Sequence, residues 1–410
     1  MKAIDHFRRY WWFYVALLLI VLFALYYRAG VPGQPGAISN FVIPTWGNTM
    51  YHVGIERVTL ETGHYPSEEI SYGGGFPNFY VPGFRLLVVA LSAATGIDPM
   101  PMSGLVVLLL GAFCLLAVCI VAYRMSGGNY YVALFAAFFF LMSPDMTINT
   151  ERPFPELMGL FILPMALYFV LRKDWPLATL MAILMALTHQ QSVLALVGIL
   201  GLYTVIQLIY AILVTRKYKK VLWSAIPWLA AIGTMVLWLV YSLGTFNFTK
   251  IAQLSYHEQW PVTLSTILET GAFVLLFLAI GLVYVYVLPY MSRWISGRKA
   301  SKSSVKAQPE KPARGYGLHI PIDAKLLILA WMIGALILTK NEWIIFPINL
   351  NTLQSRFYTY FVDVAIVLAG FGMYALLSAI DFKPLLEGTE PEPDGAADRP
   401  ASGPSHFESR

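Results

Sequence analysis

The chain has 410 residues, 58% of them hydrophobic and only 12% charged, with a mean hydropathy of +0.63. That composition excludes a soluble globular enzyme and requires a chain that crosses a membrane many times. The formal net charge of +5 sits on lysines and arginines between apolar runs, where it reports orientation and gives no ground for a nucleic-acid partner.

The first apolar run, Tyr10–Tyr27, is too long for a signal-peptide core, and no small-residue cleavage site follows it, so a retained anchor is expected. Residues 29–82 then form a polar outer loop. Within it Trp46–Pro66 reads as a helix capped by Asn48 or Thr49, closed by Gly63, with Pro66 beyond. Asn48, His52 and Glu56 stand at i, i+4 and i+8 and share one face of that helix. An amphipathic helix resting on the membrane with a wet polar face accounts for the pattern equally well. The apolar run Phe84–Gly96, after Pro82, is expected to dip in or lie flat. Nine further spans follow: Met102–Tyr123, Tyr130–Ser143, Leu157–Leu171, Pro176–Thr188, Val193–Val214, Trp223–Leu243, Leu264–Tyr290, Leu326–Thr339 and Phe357–Ile380. The expected fold is an all-α polytopic membrane protein with about ten transmembrane helices and one juxtamembrane or re-entrant helix. Residues 1–381 form the membrane domain, 291–322 a basic cytoplasmic loop, and 382–410 a Pro/Gly/acid-rich disordered tail.

Charge sets the orientation. If Phe84–Gly96 does not cross, 21 of the 28 lysines and arginines fall on one side, including Arg216–Lys220 and the basic loop after Trp294. By the positive-inside rule that side, with both termini, is cytoplasmic. The chemistry-capable residues then face outward. Cys114 and Cys119, at i, i+5 in one apolar run, read as lipid- or core-facing thiols.

The outward segments carry the candidate site. Pro144–Glu156 holds Asp145, Glu151 and Glu156 with Arg152 between two apolar runs. A carboxylate there can act as general base on a hydroxyl, and an arginine can grip a phosphate bidentately. A surface ion pair of Glu151 with Arg152 explains those two residues as well. Thr188-His189-Gln190-Gln191 interrupts two apolar runs where a plain turn would more often use Gly, Asn or Pro. A histidine at that depth is costly unless it faces a polar cavity. Tyr256-His257-Glu258-Gln259-Trp260 suits stacking on a sugar ring, and equally an interfacial aromatic belt. Arg356 opens the last span with Asp363 seven residues on; it can snorkel to the interface or hold a lipid-linked phosphate.

The order of these parts resembles the C-type fold of membrane glycosyltransferases (GT-C), which includes protein O-mannosyltransferases, aminoarabinose transferases and oligosaccharyltransferase catalytic subunits. The matching residues are Gly47, Asn48, His52, Gly63 and Pro66 in the first loop, then Pro77, Pro82 and Gly83. Arg152 with Pro155-Glu156, Thr188-His189-Gln190, and Ser355-Arg356-Phe357 follow, so the resemblance covers most of Tyr10 to Ile380. It implies a polyprenyl-phosphate sugar donor in the bilayer and transfer on the extracytoplasmic face of a plasma membrane, to a glycan, lipid or protein acceptor. The large soluble domain and the W-W-D-Y-G motif of oligosaccharyltransferases are lacking, which argues against a peptide acceptor. The family's usual base is a first-loop Asp, and this chain has Asn48 there; an amide takes no proton at neutral pH. Glu151, Glu56 or Asp145 would then be the base, or the chain would bind, flip or scaffold a lipid-linked sugar without turning it over. Arg356, with Arg152 or His189, would stabilise the phosphate. Asn48, His52, Glu156, Gln190 and His257 complete the expected substrate contacts. A divalent cation, Mg or Mn, on Asp145, Glu151 and His52 is compatible with the donor types, although the spacing specifies no metal.

Overall fold

The computed structural model describes residues 2–30, 47–70, 77–78, 80–216, 218–243, 262–291, 318, 320–340 and 354–380. His257 and the tail lie outside these residues, as does most of the basic loop, and so does the side chain of Asn48. The chain is an integral membrane protein built of helices. In order they are α1 (Lys2–Ala29), α2 (Gly47–Thr62), α3 (Gly83–Thr95), α4 (Pro99–Met125), α5 (Tyr130–Met142), α6 (Pro144–Thr150) and α7 (Pro155–Arg172). Then come α8 (Trp175–Thr188), α9 (Gln190–Tyr210), α10 (Lys219–Leu243), α11 (Leu264–Glu269), α12 (Ala272–Leu282), α13 (Ile322–Thr339) and α14 (Gln354–Ala379). Among the described residues eight helices are long and apolar enough to cross a membrane, or nine if the bent pair α5–α6 is one span. The remaining expected span is α8, whose 14 residues fall short of the roughly 20 that a perpendicular crossing needs. The apolar α3 is shorter still, 13 residues closed by Gly96 at φ 74°.

Three local expectations need correction. Helix α2 begins at Gly47, so Asn48 and Thr49 lie inside its first turn and neither is the cap. Its end is as expected, with Gly63 at φ 74° donating its N–H to the Thr59 carbonyl at 3.0 Å. The segment after Ser143 is helical: Pro144 pre-sets the first turn of α6, which runs at 73° to α5. The span expected over Leu264–Tyr290 is interrupted at Gly271, whose φ of 98° separates α11 from α12. Cys114 and Cys119 are both buried and unpaired on α4.

Helix α14 runs through the middle, buried continuously from Val362 to Gly372 and packed by α5, α12 and α13. Close approach there depends on glycine. A Cβ on Gly281 of α12 would overlap the Leu368 carbonyl oxygen, and one on Gly372 would overlap the Phe277 carbonyl oxygen. Small residues let the two backbones touch where apolar burial drives no helix association in lipid. Trp331 of α13 donates its indole N–H to the Tyr360 carbonyl at 2.9 Å, tying a third helix to the same axis.

Gly281→Leu or Gly372→Leu should therefore destabilise the fold by at least about 2 kcal/mol. The loss should appear as a lowered Tm and reduced monodisperse protein in detergent. Gly201→Ala is the control: a Cβ there meets nothing within 4 Å, and its Tm should hold or rise.

Candidate functional site

The ends of three helices converge on one group of charges. Glu156, in the first turn of α7, pairs with Arg356, in the first turn of α14, at 3.8 Å. The pair is 6% and 21% exposed respectively, so it is held largely out of water. Helix α6 adds Asp145 from its own first turn, buried beside α14. Asn149 bridges the two helices, its Nδ2 donating to Thr359 Oγ1 at 3.1 Å and to the Asp145 carbonyl at 3.0 Å. Burial and the neighbouring Glu156 push the Asp145 carboxyl up to about 7, against the hydrogen bonds of Asn149 and Thr359. Among the described residues Asp145 Oδ2 has no hydrogen-bond partner. Arg152, on the link between α6 and α7, lies in the field of Glu156, Arg356, Asp145 and Glu269. Asp145, Arg152, Glu156 and Arg356 thus form one cluster of mutually interacting charges.

A ladder of rings joins this group to α2. Arg356 lies over the Phe154 ring at 5.9 Å, and His52 is 6.4 Å from the same ring. His52 stands 5.2 Å from Tyr80, which stands 6.4 Å from His189. His189 is the extended residue between α8 and α9, at φ −154° and ψ 126°. Its Nδ1 meets Ser192 Oγ at 2.8 Å, and that hydroxyl meets the phenol of Tyr360 on α14. A Cβ on Gly159 would overlap Ser192 Oγ, so this glycine lets α7 close onto α9. Beside Tyr65 a cavity of about 500 Å³ opens, with mostly apolar walls that include Pro82, Leu86, Leu187, Trp238 and Tyr241.

No protein-family model matches the chain, and no curated protein does. Among solved structures it is similar to the archaeal oligosaccharyltransferase AglB from Archaeoglobus fulgidus, in complex with an inhibitory peptide and a dolichol-phosphate. The TM-score is 0.63 over 97% of this chain, at 13% identity. The chain has the GT-C fold. It spans about half, 53%, of that solved chain.

On this GT-C fold the expected site residues divide. His52, Arg152, Glu156, His189 and Arg356 come together with Asp145, as described above. Gln190 opens α9 next to His189 and is half-buried. Glu56 shares the buried face of α2 with His52 but turns to α4, where it accepts from Ser103 Oγ at 3.1 Å; burial pushes it up to about 8. Glu151 ends α6, and the charges acting on it are those of Arg28 and Arg152; burial pushes it up to about 7. Arg28 is itself buried, donating to Thr150 Oγ1 at 2.9 Å and lying over the Phe140 ring at 5.7 Å. Among the described residues no three His, Cys, Asp or Glu side chains group as a metal site. The expected set of Asp145, Glu151 and His52 is therefore not assembled: Glu151 answers Arg28, and His52 answers an arginine that sequence reading passed over.

That arginine is Arg85. It is fully buried on α3, with the rings of Tyr80 and Tyr51 at 4.5 and 4.7 Å from its guanidinium carbon. Its Nε donates to His52 Nδ1 at 2.9 Å and its Nη1 to the Tyr65 phenol. In the sequence it counted only as one outward charge. The missed signal is its setting, two residues into an apolar helix, where a charge persists only if something specific receives it.

Breaking a buried pair strands its partner, so Arg356→Met should cost about 3–5 kcal/mol, and adding Glu156→Leu should recover most of it. Thermal unfolding in detergent of both single variants and the double reads this coupling directly. Asp145 gives a second test, with a defined sign. A carboxyl raised on folding binds its proton more tightly in the folded chain, so its stability contribution is present at acid pH and lost as pH rises through about 7. Asp145→Asn should flatten the decline in Tm between pH 5 and 8, by comparison with wild type.

Proposed function

We propose that this chain is an integral-membrane glycosyltransferase that moves a sugar from a polyprenyl-phosphate donor to an acceptor hydroxyl on the extracytoplasmic face. The observation that carries the reading is the charge cluster of Glu156, Arg356, Arg152 and Asp145 at helix ends of a GT-C fold. The AglB structure contains a dolichol-phosphate, and the apolar cavity beside Tyr65 is of a kind that would accept part of an isoprenoid tail. In the reaction the acceptor oxygen attacks the anomeric carbon, the bond from that carbon to the phosphate oxygen breaks, and the phosphate leaves with the electron pair. The acceptor proton goes to a carboxylate. Asp145 suits that step, because one of its oxygens is unengaged and its pKa lies near the operating pH. Glu151 is the next candidate, and Glu56 follows, since it turns away toward Ser103 of α4. Arg356 and Arg152 supply donors to the leaving phosphate. With the basic loops cytoplasmic, this end of the bundle faces outward.

One observation favours a second reading. Asn48 replaces the carboxylate expected in the first loop, which suits a protein that binds or flips a lipid-linked sugar, or scaffolds an active partner.

Transfer of radiolabelled sugar from a panel of polyprenyl-phosphate donors, in membranes carrying wild type, Asp145→Asn, Glu151→Gln and Arg356→Ala, separates the two. Catalysis predicts turnover in wild type and a fall of at least about a hundredfold in Asp145→Asn and Arg356→Ala. The log of kcat/KM should rise with pH to a plateau above about 7, as Asp145 ionises, and Asp145→Asn should abolish that limb. Survival of activity in Asp145→Asn but not in Glu151→Gln would move the base to Glu151. Donor binding without turnover for any donor would establish the binding protein.

A further inference from the structure

Arg85 and His52 meet in a way that settles where one proton sits. A guanidinium has five N–H donors, no acceptor, and does not deprotonate in proteins. Arg85 Nε lies 2.9 Å from His52 Nδ1, so the imidazole nitrogen must accept with its lone pair. A neutral imidazole that accepts at Nδ1 carries its hydrogen on Nε2. His52 Nε2 makes no hydrogen bond to a described residue.

The arginine has little freedom to let go. It is fully buried between the Tyr51 and Tyr80 rings, and its Nη1 is held by the Tyr65 phenol. The Tyr51 phenol in turn donates to Glu69. Three tyrosines from α2 and the loop after it thus fix a side chain from α3. The charged and titratable groups around His52 are Arg85 on α3, His189 at the start of α9, Arg356 on α14 and the Tyr80 phenol, with Glu56 one turn along its own helix. Two of these are permanent cations. A second proton on His52 would break the Arg85 bond and place a third positive charge against them, in a site where His52 is only 5% exposed.

We propose that Arg85 is a positioning residue that locks His52 as the neutral Nε2–H tautomer, so that His52 offers substrate a fixed hydrogen-bond donor and never acts as a base. The part concerning substrate rests on the glycosyl-transfer reading, where the oxygen that receives this donor is a sugar hydroxyl or a phosphate oxygen. The tautomer itself does not rest on it. A histidine beside a carboxylate cluster would otherwise be the first residue suspected of proton abstraction. Its arginine removes it from that role and leaves the proton to a carboxylate.

The test is nitrogen NMR on the full chain, labelled at the imidazole nitrogens and reconstituted in lipid nanodiscs without any donor. The chain has seven histidines, and His52→Gln identifies the signal by its loss. The expected result is one protonated nitrogen, Nε2, and one bare nitrogen, Nδ1, unchanged from pH 5 to pH 8. A His52 signal that titrates within that range, or that carries its hydrogen on Nδ1, overturns the proposal. Arg85→Met should release the ring, giving a mixture of tautomers or a titration in the ordinary histidine range. An unchanged His52 signal in folded Arg85→Met would show that burial alone sets the tautomer and would remove the positioning role. Should Arg85→Met fail to fold, the wild-type spectrum still decides the tautomer.

If transfer is observed, His52→Gln, whose amide keeps an N–H near the Nε2 position, should retain more activity than His52→Ala by on the order of tenfold. Equal loss in the two variants would deny His52 the donor role while leaving the glycosyl-transfer reading intact. Absence of transfer in wild type would remove that reading and leave the NMR result standing.

Discussion

The ion pair between Glu156 and Arg356 is the contact on which the arrangement of this end of the bundle depends. Each residue sits in the first turn of its helix, so their meeting fixes where α7 and α14 start relative to one another. Two buried charges are tolerated only when they face each other, so the helices cannot slide apart without stranding one of them. The interior is built to allow the approach. Gly159 lets α7 close onto α9, while Gly281 and Gly372 bring α12 against α14, so polar helix ends meet because small residues removed bulk farther along. Asp145 and Arg152 then fall into the pair's field simply because α6 and its link lie between α5 and α7.

Much of the fold was legible from hydropathy, because a helix in lipid must satisfy every backbone group internally and so announces itself as a long apolar run. The spans around α4, α7, α9 and α14 follow from that rule directly. Punctuation worked where one residue type had one use: Gly63 closed α2, and His189 marked the break between α8 and α9. It failed where two uses compete. Pro144 can end a span or start a helix, and the structure takes the second; Gly271, inside an apolar stretch, can be a packing glycine or a break, and is a break.

The site was half legible for a related reason. Helical spacing showed that His52 and Glu56 share a face, and both are buried, but spacing says nothing about what lies opposite. The partners come from other elements, Arg85 for His52 and Ser103 for Glu56. Glu151 likewise takes Arg28 from α1 as well as its neighbour Arg152, and Arg152 also lies in the field of Asp145 and Glu156.

Three buried arginine environments show what the fold asks of each cation. Arg28 donates to a hydroxyl and lies over the Phe140 ring, and serves as an internal tie between α1 and α6. Arg85 is held by tyrosine rings, a phenol and an imidazole, so its charge bears directly on His52. Arg356 pairs with Glu156 at 3.8 Å, beyond the 2.7–2.9 Å of a close charge-assisted hydrogen bond. It is also the most exposed member of the group, at 21%. Within the glycosyl-transfer reading, a phosphate reaching this end of the bundle would meet the partly exposed Arg356 guanidinium. Arg85, more deeply buried, sets the donor beside it.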